Sequence, residues 1–158
     1  MLRVGIGHDT HRLGSGGPLV LGGLSIEHDR HAIGHSDADV LLHAITDAVL
    51  GATAQGDIGG LFPNTDPANA GRDSAEMLQA VVARVASAGW HIVNLDCIVF
   101  TERPKLSPHQ LALRQRIAEI LGLDVELVSV KAKTGESVGP IGREEAISAQ
   151  CIVLLESP

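Results

Sequence analysis

His35-Ser36-Asp37-Ala38-Asp39-Val40-Leu41-Leu42-His43-Ala44-Ile45-Thr46-Asp47 is the stretch that organises the chain. It reads as a helix start. Ser36 followed three residues later by Asp39 has the pattern of a capping box. Val40, Leu41, Ala44, Ile45, Ala48 and Val49 recur at helical spacing, which predicts one face buried in a core. Along the other side Asp39, His43 and Asp47 stand four apart and stack. A histidine between two carboxylates suits a metal ligand with partners behind it. The same pattern also describes a solvated acidic face with a stray histidine, so residues outside the helix must decide.

Toward the N-terminus, residues 2–12 alternate as a strand, with Val4 and Ile6 on one side. Asp9 and His11, two apart, point the same way. With His43 they make two imidazoles and one carboxylate, the ligand set of a catalytic zinc site with a fourth position open. The imidazoles suit zinc or manganese better than magnesium. Asp9 paired with Arg3 or Arg12, beside a surface His11, is the plainer alternative. Gly5 and Gly7 look like half of a dinucleotide fingerprint, but the third glycine and a directly following helix are missing. Residues 14–17 read as a turn. Residues 18–21 and 24–27 read as a hairpin around Gly22-Gly23. Residues 28–34 form a polar loop whose His28 and His31 fit no ligand spacing and are expected to be exposed.

Toward the C-terminus, the run from Asp57 through Pro67 is a loop rich in Asp, Asn, Gly and Pro, of the kind that often carries function. A helix is predicted over 73–88, capped by Gly89, and a strand over 92–100. A charged connection, Thr101 to Leu106, leads to a helix that Pro108 opens and Gly122 ends. Strands over 125–132 and 146–155 flank a glycine-rich loop, 133–142. This succession predicts an α+β fold over 1–158, one domain with helices packed on one face of a mixed β-sheet. Lys105, Lys131 and Lys133 offer cations, Thr134 a hydroxyl and Gly135 an unobstructed amide, the parts of a phosphate cradle. Glu136 beside them suits a magnesium ion bridging phosphates. There is no Gly-x-Ser-x-Gly, and neither cysteine has a base nearby in sequence. A metal and phosphate loops without a protein nucleophile point to phosphoryl transfer by positioning and charge neutralisation.

Composition narrows the partners. The 158 residues are 44% hydrophobic but only 2% aromatic, with no Tyr and the single Trp90, so Val, Leu, Ile and Ala must build the core. A net charge of −7 argues against nucleic acid. No leader and no long apolar run is seen, so neither export nor a membrane span is expected, and a cytoplasmic location is. Cys97 and Cys151, in apolar strand-like runs, read as buried reduced thiols.

Several segments recur in an order that one family shares. These are Gly5-Ile6-Gly7-His8-Asp9-Thr10-His11, His35-Ser36-Asp37-Ala38-Asp39, His43-Ala44-Ile45-Thr46-Asp47 and Gly56-Asp57-Ile58-Gly59. Then come Leu61-Phe62-Pro63-Asn64-Thr65-Asp66-Pro67, Pro104-Lys105, Lys131-Ala132-Lys133-Thr134 with Glu136, and Gly142-Arg143. Over essentially its whole length the chain resembles the 2-C-methyl-D-erythritol 2,4-cyclodiphosphate synthase family of the non-mevalonate isoprenoid pathway. The resemblance implies a lyase acting on 4-diphosphocytidyl-2-C-methyl-D-erythritol 2-phosphate. The substrate's own 2-phosphate attacks the β-phosphorus, and CMP leaves. It implies zinc at Asp9, His11 and His43, and magnesium or manganese at Glu136 with the substrate phosphates.

His35 and Thr134 would steady phosphate charge, and Ser36 would add a contact. Asp57, Ile58 and Gly59 with Phe62, Pro63, Asn64, Thr65 and Asp66 would hold the methylerythritol. Thr101, Glu102, Arg103, Pro104, Lys105, Leu106 and Ser107 with Lys133, Thr134, Gly135 and Glu136 would form the cytidine diphosphate pocket. Thr10 and Arg143 complete the substrate-binding set. A homotrimer with sites between subunits is implied. The chain departs from the family pattern at His8, where an aromatic is common, and at Ser137-Val138-Gly139-Pro140-Ile141, where Lys-Leu-Gly-Phe-Thr is. Both bear on a cavity on the three-fold axis. Without the resemblance, the same residues also suit a zinc-dependent phosphohydrolase or a non-catalytic nucleotide-binding module.

Overall fold

The computed structural model describes residues 1–158. The strands are β1 (Leu2–Ser15), β2 (Leu19–Leu21), β3 (Leu24–Ile26), β4 (Arg30–Ile33), β5 (His91–Phe100), β6 (Val128–Lys133) and β7 (Ala146–Glu156). The helices are α1 (Val40–Ala52), α2 (Ile58–Leu61), α3 (Ser74–Ser87), α4 (Gln110–Leu121) and α5 (Gly139–Gly142). Five strands form one sheet in the order β4-β1-β7-β5-β6, parallel only between β5 and β6, while β2 and β3 make a separate hairpin. The sheet is therefore mixed, as expected.

α1 lies between the sheet and α3. Only Asp47 and Gly51 of its thirteen residues escape burial, so the helix is enclosed all round and not on one face. β1 explains how it fits. A Cβ on Gly5 would stand 1.9 Å from the Ala48 carbonyl oxygen, and one on Gly7 1.9 Å from that of Ala44. These glycines let helix backbone rest on strand backbone. The same strand face then carries Asp9 and His11 toward the start of α1.

The capping box is corrected. Asp39, not Ser36, caps α1, its Oδ1 accepting from Leu42 N at 3.0 Å. Ala38, at φ +56°, turns the chain just before it, so the helix starts later than the sequence pattern suggests. The Asp39 carboxylate also accepts from Gly22 N at 2.9 Å and Gly23 N at 2.7 Å. It is fully buried and pins the β2–β3 hairpin beneath the helix. Asp39→Ala orphans three backbone donors and is expected to cost about 3 kcal/mol or more. Urea unfolding checks this; a loss under about 1 kcal/mol would mean that the hairpin is held elsewhere.

Two loop readings and one strand reading change. Residues 30–33 are not loop but edge strand β4, because β1 runs on to Ser15 and offers Arg12–Ser15 as partners. His31 there is exposed, but His28 is half-buried. The 57–67 run contains α2 and leads into a short 3-10 turn, Pro67–Asn69. Residues 125–127 form a 3-10 turn ahead of β6. The remaining helix ends shift by a residue or two: Asp73 is the N-cap of α3 and Ala88, not Gly89, its C-cap, a 3-10 turn holding Pro108 precedes α4, and Gly122 in the left-handed region ends α4 as read. Cys97 and Cys151 face each other across β5 and β7 as buried free thiols.

No helix packs on the other face of the sheet near β1. Leu2, Val4 and Ile6 are 65%, 66% and 68% exposed there, with Ile152 of β7 beside them at 52%. No helix is long and apolar enough to cross a membrane.

Candidate active site

Where α1 begins over β1, three side chains converge. Asp9 Oδ2 is 2.9 Å from His11 Nε2 and 3.0 Å from His43 Nδ1, and the two nitrogens are 3.2 Å apart. The opposite nitrogen of His11, Nδ1, lies 3.0 Å from the Ile33 carbonyl. A carbonyl can only accept, so Nδ1 carries the ring hydrogen and Nε2 presents a lone pair to Asp9. Lone pairs and a carboxylate facing one another at this range call for a shared cation, and the donor set fits a divalent metal.

Without a metal, a proton does that work. Burial would raise the Asp9 pKa, but hydrogen bonds and charge from His11 and His43 hold it well below the usual carboxylate range. Burial likewise works to lower the His11 pKa, and the hydrogen bond and charge of Asp9 outweigh it, leaving it raised.

These residues open onto a cavity of about 330 Å³. His35, Ser36, Ile58, Gly59, Phe62 and Asn64 line it, as do Asn69 and Met77, which the sequence did not single out. The rest of the 57–66 set shapes the wall from behind. Asp57 Oδ1 caps α2 through Gly60 N at 2.9 Å, and Asp66 Oδ1 holds Ala68 N at 2.9 Å. The Pro63 carbonyl accepts from Asn69 Nδ2 at 3.1 Å, and Thr65 is exposed. Thr10 points to the opposite face of β1, where its hydroxyl meets His8 at 3.1 Å. Asp39 and Asp47 are not the carboxylate partners of His43. Asp39 is spent on backbone amides, and Asp47 Oδ1 accepts from Ile58 N at 2.7 Å.

A second cavity, of about 370 Å³, lies where β5 and β6 end side by side. Thr101, Glu102, Pro104, Lys105, Leu106, Ser107, Lys133 and Thr134 line it, joined by Gln110 and Ala132. Arg103 turns away and grips Glu144 bidentately at 2.9 and 2.8 Å. The Gly135 amide is not free as expected, since it donates to Glu102 Oε2 at 2.9 Å. Lys131 pairs with Asp96 at 2.5 Å outside this cavity, and exposed Arg143 pairs with Glu145 at 2.8 Å. Thr134 Oγ1 donates to Glu136 Oε1 at 3.3 Å, and Glu136 is exposed with φ +51°.

The two cavities share no lining residue. Lys133, Phe100, Ser148 and Thr10 form one register row across β6, β5, β7 and β1. The cavities thus sit at the same end of the sheet, three strand spacings apart, or about 14 Å.

The YgbB family model matches residues 2–156. The chain belongs to the YgbB family. A relative from Chromobacterium violaceum, named 2-C-methyl-D-erythritol 2,4-cyclodiphosphate synthase, is 55% identical over 155 residues, covering 98% of each chain. Among solved YgbB-like folds, a 2C-methyl-D-erythritol-2,4-cyclodiphosphate synthase in its CDP-bound form matches with TM-score 0.90 at 38% identity, over 98% of this chain and all of that one. The bifunctional IspDF of Campylobacter jejuni matches with TM-score 0.96 at 38% identity. This chain is fully covered there but spans only 43% of that longer protein.

Proposed function

We infer that the chain converts 4-diphosphocytidyl-2-C-methyl-D-erythritol 2-phosphate to 2-C-methyl-D-erythritol 2,4-cyclodiphosphate and CMP, residues 1–158 acting as one synthase domain. The observation that carries this reading is the Asp9–His11–His43 cluster at the floor of a polar cavity, in a chain 38% identical to a synthase solved with CDP. Asp9, His11 and His43 would hold zinc, which as a Lewis acid neutralises charge on the phosphate undergoing attack. Glu136, with one exposed carboxylate, would hold a magnesium or manganese ion that would neutralise charge on the substrate phosphates.

The chain's own groups do the rest. Ser36 and His35 face the first cavity and are placed to contact the attacking phosphate. Thr134, Lys133 and Lys105 line the second and are placed to hold the cytidine diphosphate. No protein nucleophile is needed, since attacking and leaving groups belong to one substrate molecule. Holding them in line is the main task.

Within one chain the two cavities lie about 14 Å apart, so the reacting phosphates would sit far from one or the other. This separation supports a complete site that takes its metal half from one subunit and its nucleotide half from another, as a ring of copies would provide. The exposed apolar row Leu2, Val4, Ile6 and Ile152 supplies a face for that contact, and the resemblance makes the ring a homotrimer.

The test is phosphorus NMR of the products with zinc and magnesium present. A cyclic diphosphate with one equivalent of CMP is expected. Inorganic phosphate without the cyclic product would indicate a phosphohydrolase, and binding without turnover a non-catalytic nucleotide module.

A further inference from the structure

His43 has a second side. Its Nε2 lies 2.7 Å from Ser74 Oγ and 3.2 Å from Ser36 Oγ. Ser74 is the first residue of α3 and only 1% exposed. Its hydroxyl donates to Asp37 Oδ1, and its backbone N donates to Asp37 Oδ2 at 2.9 Å. The single hydroxyl hydrogen of Ser74 is thus committed to the carboxylate. Toward His43 the oxygen can only accept, so Nε2 must carry the ring hydrogen. Nδ1 is left as a lone pair facing Asp9 Oδ2 at 3.0 Å.

We propose that Ser74 and Asp37 are positioning residues that set the tautomer and ring orientation of His43 for a divalent metal bound through Nδ1. The proposal rests on the reading of Asp9, His11 and His43 as a metal site. Asp37 is itself pinned. Its Oδ1 accepts from Asp39 N at 3.1 Å, and its backbone N donates to the Arg72 carbonyl at 3.2 Å. The chain Asp37–Ser74–His43 therefore ties the entry of α1 to the first turn of α3. A hydrogen-bonded hydroxyl behind an imidazole also makes the ring a better ligand. The same geometry frees Ser36. Its oxygen accepts from Ala38 N at 3.3 Å and faces the Nε2 hydrogen, so its own hydrogen is available to an anionic oxygen in the cavity.

Zinc affinity, measured by competition with a chromophoric chelator, tests the assignment. Ser74→Ala is expected to weaken zinc about 10- to 100-fold, and Asp37→Asn toward the lower end of that range. Ser74→Thr, which keeps the hydroxyl, should restore most of the affinity. Asp73→Ala is the structural control. It removes the α3 cap, an Asp73 Oδ1 bond to Ala75 N at 2.8 Å, and leaves the relay in place. It should lower the melting temperature without changing zinc affinity.

Nitrogen-15 NMR of the metal-free protein reads the tautomer directly. His43 should be Nε2-protonated in wild type and mixed in Ser74→Ala. Wild-type zinc affinity in folded Ser74→Ala, equal weakening by Asp73→Ala, or an Nδ1-protonated His43 would each overturn the proposal. Wild-type protein that binds no zinc would instead remove the metal-site reading beneath it, and the proposal with it.

Discussion

Asp9→Asn is expected to leave a folded protein that has lost its tightly held zinc and about 10³-fold of its CMP-releasing activity. The substitution changes almost nothing in volume. It replaces the only anion of the ligand set with a neutral amide. It also introduces an N–H₂ that can donate to the ring nitrogen lone pairs at 2.9 and 3.0 Å, satisfying the cluster without a metal. Metal analysis per subunit together with CMP release is the measurement. Full zinc occupancy at a wild-type rate would exclude Asp9 as a ligand.

The pH dependence carries a defined sign. In the metal-free protein the His11 pKa is raised, so the stability of its pairing with Asp9 is complete below the ordinary histidine value of 6.5. That stability is lost as pH rises through the raised value. Zinc must displace the same proton, so zinc affinity should climb over that window. Both trends should be much weaker in Asp9→Asn.

The second large effect is structural. Gly7→Ala would set a methyl 1.9 Å from the Ala44 carbonyl oxygen and 2.7 Å from Ala48 N. Both are helix backbone, so no side chain can swing aside. A cost of about 3 kcal/mol or more is expected, or failure to fold. Any molecules that do fold must hold α1 farther from β1. His43 precedes Ala44 in that helix, so it draws away from Asp9, and activity should fall beyond the loss of folded protein. Gly5→Ala makes the same clash one turn farther from the site, at Ala48, and should reduce stability with less effect on the folded molecules' rate. Urea unfolding and CMP release on both variants separate the two outcomes. Wild-type stability in Gly7→Ala would contradict the backbone contact.

Each member of the Asp9–His11–His43 cluster stood out locally, but their convergence spans 32 and 34 residues and was expected over the plainer alternative only through the family resemblance. Asp9 and His11 share a strand face by period two, and His43 stands on an apolar-patterned helix. The hairpin was equally plain from Gly22-Gly23 between apolar runs. What stayed hidden depends on contacts distant in sequence. Ser74 is 31 residues from His43 and 37 from Asp37, and no spacing rule links them. The i,i+4 spacing of Asp39 and Asp47 around His43 suggested a shared face. Each carboxylate was instead claimed by backbone amides of other segments, Gly22, Gly23 and Ile58. β4 was hidden because its half-buried positions are Arg30 and Ala32, so its alternation is not an apolar one; its existence follows from the length of β1. Glu102 similarly occupied an amide that the glycine of its loop seemed to leave open.

Arg103 gives the second cavity a further property. Its bidentate grip on Glu144, with Arg30 3.6 Å from the same carboxylate, staples the 101–107 rim to the chain just before β7. The rim thus acquires its shape during folding, and an incoming ligand has less disorder to remove from it. The rigidity of the rim rests on charges exposed enough for dissolved ions to loosen.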